Sequence, residues 1–152
     1  MNIYLTSARA HAIAASNWGS VNTTYKTTGG KGVYYFSCAS HGGYIVDGHA
    51  LTPEQRENID QYIKPYLVYV VLDRDTGLVK KFQNPFSSKG MRYSRSDALV
   101  ADHPLYVFEE DCAWSLLEKF TPIRRTDAYK DLDGHEEAIE SSFNSWYANK
   151  SA

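Results

Sequence analysis

Hydrophobic and polar positions recur along this chain with two different periods, which predict strands in some segments and helices in others. Residues 33–38 are mostly β-branched or aromatic, and a glycine pair separates them from a second short apolar run, which predicts a hairpin. The further strands predicted by the same criteria cover 44–46, 66–72, 78–82 and 105–108. A turn at 73–77 joins the second and third of these into another hairpin.

Helical periodicity marks four other segments. An alanine-rich stretch, 7–16, predicts a short helix that is capped by Ser7. Thr52, Pro53 and Gln55 form a helix start with the spacing of a capping box, and the next proline ends that helix. Apolar residues at i, i+3, i+4 and i+7 predict a helix containing Ala113, Leu116, Leu117 and Phe120 and a C-terminal helix over 134–150 containing Ile139, Phe143, Trp146 and Tyr147.

The order of these elements indicates the fold class. Helices and hairpins alternate without regular βαβ units, so the sequence predicts an α+β fold rather than a doubly wound one. We expect one compact domain, 1–152, in which a small antiparallel sheet of hairpins packs against two to four helices. The glycine-containing segment 19–32 is predicted to be turn or loop, and the polar segment 83–97 a mobile surface loop.

Composition and charge narrow the class of protein. The chain has 152 residues, a formal net charge of -2 and 43% hydrophobic residues, which suits a single globular domain. A charge this small gives no overall attraction to nucleic acid. The longest apolar run, 66–72, is far shorter than the roughly 20 residues that span a bilayer, and no signal peptide is visible. With only two cysteines, the chain is predicted to be cytoplasmic in its host cell, without a membrane partner.

Two short motifs stand out from this background. One is Ser40-His41-Gly42-Gly43, after a predicted strand, and the other is Glu109-Glu110-Asp111-Cys112-Ala113-Trp114, where a strand meets a helix. Together they resemble an uncharacterised domain family found mainly in phage, plasmid and other mobile-element proteins. The resemblance extends from Trp18 to Phe120. It implies a mobile-element origin and carries no known activity.

The acidic motif has two interpretations. The carboxylates could stabilise the positive end of the following helix, with Trp114 as a core residue. Alternatively, Cys112 could lie in the first helical turn, where the helix dipole lowers the pKa of a thiol. The neighbouring carboxylates oppose that effect because they disfavour the thiolate. Both interpretations remain open at the level of sequence.

His41 presents a similar choice between structure and chemistry. We predict that His41 is buried and hydrogen-bonded, so that His41→Ala lowers folding stability. The alternative is a functional histidine, which could act as a general base near neutral pH. Cys112 as nucleophile, His41 as base and Glu110 or Asp111 as the orienting acid would complete a thiol hydrolase. In either case we expect the two motifs to be neighbours, because buried polar groups need partners.

Metal and nucleic-acid sites are less well supported. His41, Asp47 and His49 could converge, but their spacing matches no zinc module, and we predict no metal or other cofactor. Basic residues with interleaved aromatics could contact a nucleic acid, although a solvated loop is the favoured interpretation. Those basic residues are Lys80, Lys81, Lys89, Arg92 and Arg95.

These observations favour binding over catalysis. An acidic C-terminal segment that includes Glu136 and Glu140 suits docking on a charged partner. The sequence therefore predicts a small mobile-element accessory protein that binds a host protein or ribonucleoprotein complex stoichiometrically, as an inhibitor of a host defence system. Its expected binding residues are Ser40 and His41 together with the basic and acidic residues named above. The alternative is a small hydrolase or transferase that uses Cys112 and His41.

Overall fold

A computed structural model of the protein describes residues 2–87, 98–126 and 132–147. The strands are β1 Val21–Tyr25, β2 Val33–Cys38, β3 Gly42–Asp47, β4 Tyr66–Asp73, β5 Val79–Phe82 and β6 Ala98–Glu109. The helices are α1 Ser7–Trp18, α2 Pro53–Asp60, α3 Trp114–Phe120 and α4 Leu132–Trp146, with a short 3-10 helix at Gly48–Ala50. Among the described residues, no helix is long and apolar enough to cross a membrane.

All six strands form one antiparallel sheet in the order β1-β2-β3-β6-β4-β5. Together with the four helices in one compact domain, this sheet confirms the predicted α+β class. Both predicted hairpins are present, as β2–β3 and β4–β5. β6 lies between them, pairing with β3 on one side and with β4 on the other.

Three local predictions differ from the structure. Residues 21–25 are strand β1 and not loop, because their backbone pairs with β2 at the edge of the sheet and threonine is compatible with a strand. Thr6, one residue before the expected Ser7, caps α1 by accepting a hydrogen bond from the Arg9 amide. β6 starts at Ala98, earlier than predicted, since it spans both flanking strands. Most of the predicted mobile loop, 88–97, and the predicted helix end, 148–150, lie outside the described residues.

The core occupies both faces of the sheet. Successive side chains of a strand point to opposite faces, so Tyr35 of β2 joins one apolar cluster and Phe36 joins the other. The first cluster lies under α2, α3 and α4, which contribute residues such as Leu116 and Phe143. The second lies under α1, which contributes Ile13 and Trp18. The molecule is therefore a three-layer α/β/α arrangement around an antiparallel sheet.

The glycine pair of the first motif is explained by strand packing. Gly43 has φ 147°, and a Cβ atom there would lie 2.1 Å from the Phe108 carbonyl oxygen of β6. At Gly42, a Cβ atom would lie 2.4 Å from the Phe36 carbonyl oxygen of β2. Only glycine fits at these two positions, where β3 begins between its neighbours.

Candidate functional site

Pairing between β3 and β6 brings the two sequence motifs together. Gly43 stands opposite Glu109 in the ladder, and the Glu110 amide donates a hydrogen bond of 2.9 Å to the Gly42 carbonyl. Beside this pairing, Nδ1 of His41 lies 3.5 Å from Oδ2 of Asp111. The expectation that the two motifs are neighbours is thus confirmed.

The charged side chains of these motifs lie on the surface. The exposed fractions of the His41 and Asp111 side chains are 51% and 61%, and Glu109 and Glu110 are also exposed. The prediction of a buried, hydrogen-bonded His41 is wrong, because the residue lies in the turn that links β2 to β3. Ser40 instead makes the structural contact, a 2.7 Å hydrogen bond from its hydroxyl to the Trp18 carbonyl. We call the exposed group His41, Glu109, Glu110 and Asp111 the motif surface.

Cys112 is partly buried and packs against the apolar cluster under α2, α3 and α4. It is not in the first turn of α3, since Ala113 is the N-cap and the helix starts at Trp114, and that turn holds no acidic residue. The hydroxyl of Tyr147 donates a hydrogen bond to the sulfur of Cys112. Burial, followed by the charge of Glu109, raises the pKa of the Cys112 thiol above its usual value. The carboxylates and burial therefore outweigh any help from a helix end, and the geometry gives no support to a Cys112–His41 pair.

The raised pKa gives a prediction for the reactivity of this thiol. In a Cys38→Ser background, iodoacetamide should alkylate Cys112 in the folded protein several-fold more slowly than in the urea-unfolded chain at pH 7.5, because the thiolate is the reactive form. Mass spectrometry of quenched samples measures both rates. Alkylation of the folded protein at or above the unfolded rate would contradict the assigned environment.

A polar cleft of about 350 Å³ lies beside the motif surface, with Glu110 belonging to both. The residues that line it are Tyr35, Glu110, Trp114, Glu118, Arg125 and His135. Among these residues only Glu110 was a predicted site residue; Trp114 was predicted as a core residue of the same motif, and the other four were not predicted to belong to a site. The available signal was the charged Glu118 within the apolar stripe of α3, one helical turn after Trp114.

Glu118 is the buried centre of this cleft. Its Oε2 accepts a 2.7 Å hydrogen bond from the Tyr44 hydroxyl, and its Oε1 lies 2.5 Å from Nε2 of His135. Nε of Arg124 is 3.7 Å from the same Oε1 atom. The buried carboxylate thereby connects β3 to α3 and to the beginning of α4, and gives the cleft a rigid floor.

The cleft also contains a cation, the guanidinium of Arg125, which packs against two tyrosine rings. The guanidinium carbon of Arg125 lies 4.0 Å from the Tyr25 ring centroid and 4.5 Å from that of Tyr35. Burial raises the pKa of Tyr35, the positive charge of Arg125 opposes that rise, and the carboxylate of Glu110 adds to it. The cleft thus places a carboxylate, a guanidinium and aromatic rings around one small volume.

The other predicted binding residues are distributed over the molecule. Lys80, 3.8 Å from Asp73, and Lys81 lie on the edge strand β5, two strands from β6. Glu136 and Glu140 of α4 are exposed, yet each pairs with a cation of the protein itself. The distances are 3.1 Å from Glu136 to Arg124 and 2.8 Å from Glu140 to Lys119. Lys89, Arg92 and Arg95 lie outside the described residues.

A second polar cluster surrounds Asp47, whose side chain is fully buried. Its Oδ1 accepts hydrogen bonds from Nε2 of His103 at 2.7 Å and from the His49 amide at 2.9 Å. Its Oδ2 accepts hydrogen bonds from the amides of Tyr4 and Leu5 at 2.8 and 3.0 Å. Asp47 therefore fastens the N-terminal segment to the sheet. His41 does not belong to this cluster, so of the three residues whose convergence was considered from the sequence, only Asp47 and His49 lie together.

Comparisons with known proteins add no relative: no protein-family model, no curated protein and no solved structure matches this chain. The mobile-element family therefore remains a prediction from the two motifs.

Proposed function

We propose that this chain is a mobile-element accessory protein that acts by stoichiometric binding of one host macromolecule through the motif surface. The observation that carries the proposal is the gathering of the charged side chains of both motifs on an exposed surface around a polar cleft. Catalysis by Cys112 lacks support, because its thiol accepts a hydrogen bond from Tyr147 and the pKa of the thiol is raised. A host defence complex as the target is suggested by the motif resemblance.

The charge of the motif surface indicates the chemistry of the partner. Within the described residues, the Glu109 and Glu110 side chains have no ion pair, and Asp111 is paired only with the exposed His41. This uncompensated negative charge favours a basic protein surface as the partner and disfavours a bare nucleic acid. The adjacent cleft, walled by Trp114 and Tyr35, has room for one partner side chain, as the central pocket of an interface does.

Site-specific photo-crosslinking identifies the partner. A photoreactive amino acid replaces Glu109 in one protein and Asp75, in the exposed β4–β5 turn, in a control. A host protein captured only from position 109 is then purified, and its complex with the wild-type chain is titrated. Saturation at one equivalent, unchanged by Cys112→Ser, supports binding. If a sub-stoichiometric amount of the wild-type chain modifies many copies of the host protein, and Cys112→Ser does not, the proposal of stoichiometric binding is refuted.

Charge reversal at the motif surface tests the electrostatic part of the proposal. The double variant Glu109→Lys/Asp111→Lys should slow association about tenfold or more at low salt and weaken its salt dependence. Glu57→Lys/Asp75→Lys changes the net charge equally at exposed positions on α2 and the β4–β5 turn. Stopped-flow or surface plasmon resonance measures both association rates. Equal slowing by the two double variants would show that only net charge matters.

A further inference from the structure

We infer that His41, Glu110 and Asp111 form a binding site for one divalent transition-metal ion, such as Zn²⁺ or Mn²⁺, at the rim of the polar cleft. The three side chains come from two segments that the β3–β6 pairing holds together. The inference concerns the isolated chain and does not rest on the proposed function.

The distances between the donor atoms of these three residues are compatible with one shared ion. Nδ1 of His41 and Oδ2 of Asp111 are 3.5 Å apart, and one donor atom from each of the three residues lies within 4.8 Å of the others. A hydrogen bond between nitrogen and oxygen is usually about 2.7–3.2 Å long. Two ligands bound tetrahedrally at about 2.0–2.2 Å from one ion lie roughly 3.3–3.6 Å apart. The separation of 3.5 Å fits the second arrangement as well as an ordinary surface ion pair, so the inference rests on the meeting of three donor atoms at one place.

The Asp47 cluster shows the opposite pattern and serves as an internal comparison. His49 and His103 also meet a carboxylate there, but the distance from Nε2 of His103 to Oδ1 of Asp47 is 2.7 Å, that of a strong hydrogen bond. Four hydrogen bonds already occupy the two oxygens of Asp47. On the motif surface, by contrast, no described residue makes a hydrogen bond or ion pair with the Glu110 carboxylate. Of these two clusters of described residues, the motif surface has a carboxylate, that of Glu110, whose oxygens are not already occupied by hydrogen bonds.

The donor set indicates which ions would bind. Imidazole suits Zn²⁺ and other transition metals, carboxylates suit Mn²⁺ and harder ions, and a mixed set accepts Zn²⁺ or Mn²⁺. Three protein ligands on an exposed surface leave coordination positions open for water or for a donor from a bound molecule. The predicted absence of a metal followed from sequence spacing, which could not reveal that β3 and β6 bring these ligands together.

Titration of the isolated chain with ZnCl₂ and with MnCl₂ tests the inference. Isothermal titration calorimetry should give one equivalent of bound ion, and His41→Ala and Asp111→Asn should each weaken the affinity about tenfold or more. Both residues are exposed, so these variants should fold normally, which thermal unfolding verifies. In the wild type, Mn²⁺ should broaden the NMR signals of the His41 imidazole before those of other histidines. His49→Ala, in the Asp47 cluster, is the matched control and should bind as the wild type does.

Three results would overturn the site: no binding of either ion, unchanged affinity in both motif variants, or loss of binding in His49→Ala. Titration of the host partner in the presence of EDTA separates this inference from the proposed function. Partner binding that does not need the metal persists in EDTA. Failure of the metal titration therefore leaves the partner experiment intact, and failure of the partner experiment leaves the metal result intact.

Discussion

Replacing Asp47 with alanine is expected to lower the free energy of unfolding by about 3 kcal/mol or more, because each buried polar group left without its hydrogen-bond partner costs about 1–3 kcal/mol. The carboxylate is fully buried and accepts four hydrogen bonds, so its loss leaves the His103 imidazole and three backbone amides without a partner. Urea denaturation followed by circular dichroism measures the change.

Asp102→Ala is the matched control, since it removes an exposed carboxylate next to His103 on the same strand. We expect that change to stay within about 0.5 kcal/mol of the wild type. An Asp47→Ala midpoint equal to that of Asp102→Ala would show that the N-terminal segment does not depend on Asp47.

The effect of Asp47→Ala should also depend on pH. Burial disfavours the charged carboxylate, but hydrogen bonds from His103, Leu5 and His49 outweigh burial and lower the pKa of Asp47 below its usual value of 3.8. A group with a lowered folded pKa contributes full stability above its unfolded pKa, and this contribution is lost as the pH falls through the folded pKa. The difference between wild type and Asp47→Ala should therefore be largest near neutrality and shrink as the pH is lowered below 3.8.

Replacing Gly43 with alanine is expected to cost about 3 kcal/mol or more, because a strained backbone and a steric clash act together. At φ 147°, the new Cβ atom would lie 2.1 Å from the Phe108 carbonyl oxygen and 3.0 Å from the Glu109 Cα atom. Relief requires β3 and β6 to separate where the two motifs meet. Hydrogen exchange of the Glu110 amide, which donates to Gly42, should accelerate along with the loss of stability.

Gly77→Ala is the matched control for this change. Gly77 has φ 70°, and nothing lies within 4 Å of a Cβ atom built there, so only the backbone penalty of about 1–2 kcal/mol applies. Thermal or urea unfolding of the two variants isolates the steric contribution. If Gly43→Ala costs no more than Gly77→Ala, the close approach of β3 and β6 is incorrect.

The sequence predicted correctly those helices whose start or buried face is determined by residues within a few positions of one another. The capping box of α2 is present as predicted, with Thr52 and Gln55 bonded reciprocally at 3.1 and 2.9 Å. The apolar stripes of α3 and α4 were also identified correctly, because one face of each helix packs against the sheet. Motif residues that are adjacent in sequence were the easiest functional candidates to find.

Long-range interactions explain what the sequence could not reveal. β1 has no apolar pattern of its own and is a strand because it pairs with β2. The cleft combines Glu118 of α3, Arg125 of the following segment and His135 of α4, and no spacing rule relates such positions. Likewise, the exposure of His41 depends on where the turn between β2 and β3 lies relative to the sheet, which composition does not determine.

The position of β6 in the sheet affects how the chain is assembled during translation. β6 joins β3 to β4, yet it is synthesised after both. At about 5–20 residues per second, the 50 residues between β3 and β6 take roughly 3–10 seconds to synthesise. During that interval β3 is an unpaired edge of the β1-β2-β3 half-sheet, and after residue 82 the β4–β5 hairpin adds the unpaired edge of β4. Each of these edges could capture another strand. Translation speed between residues 47 and 98 therefore controls how long those edges are open to aggregation.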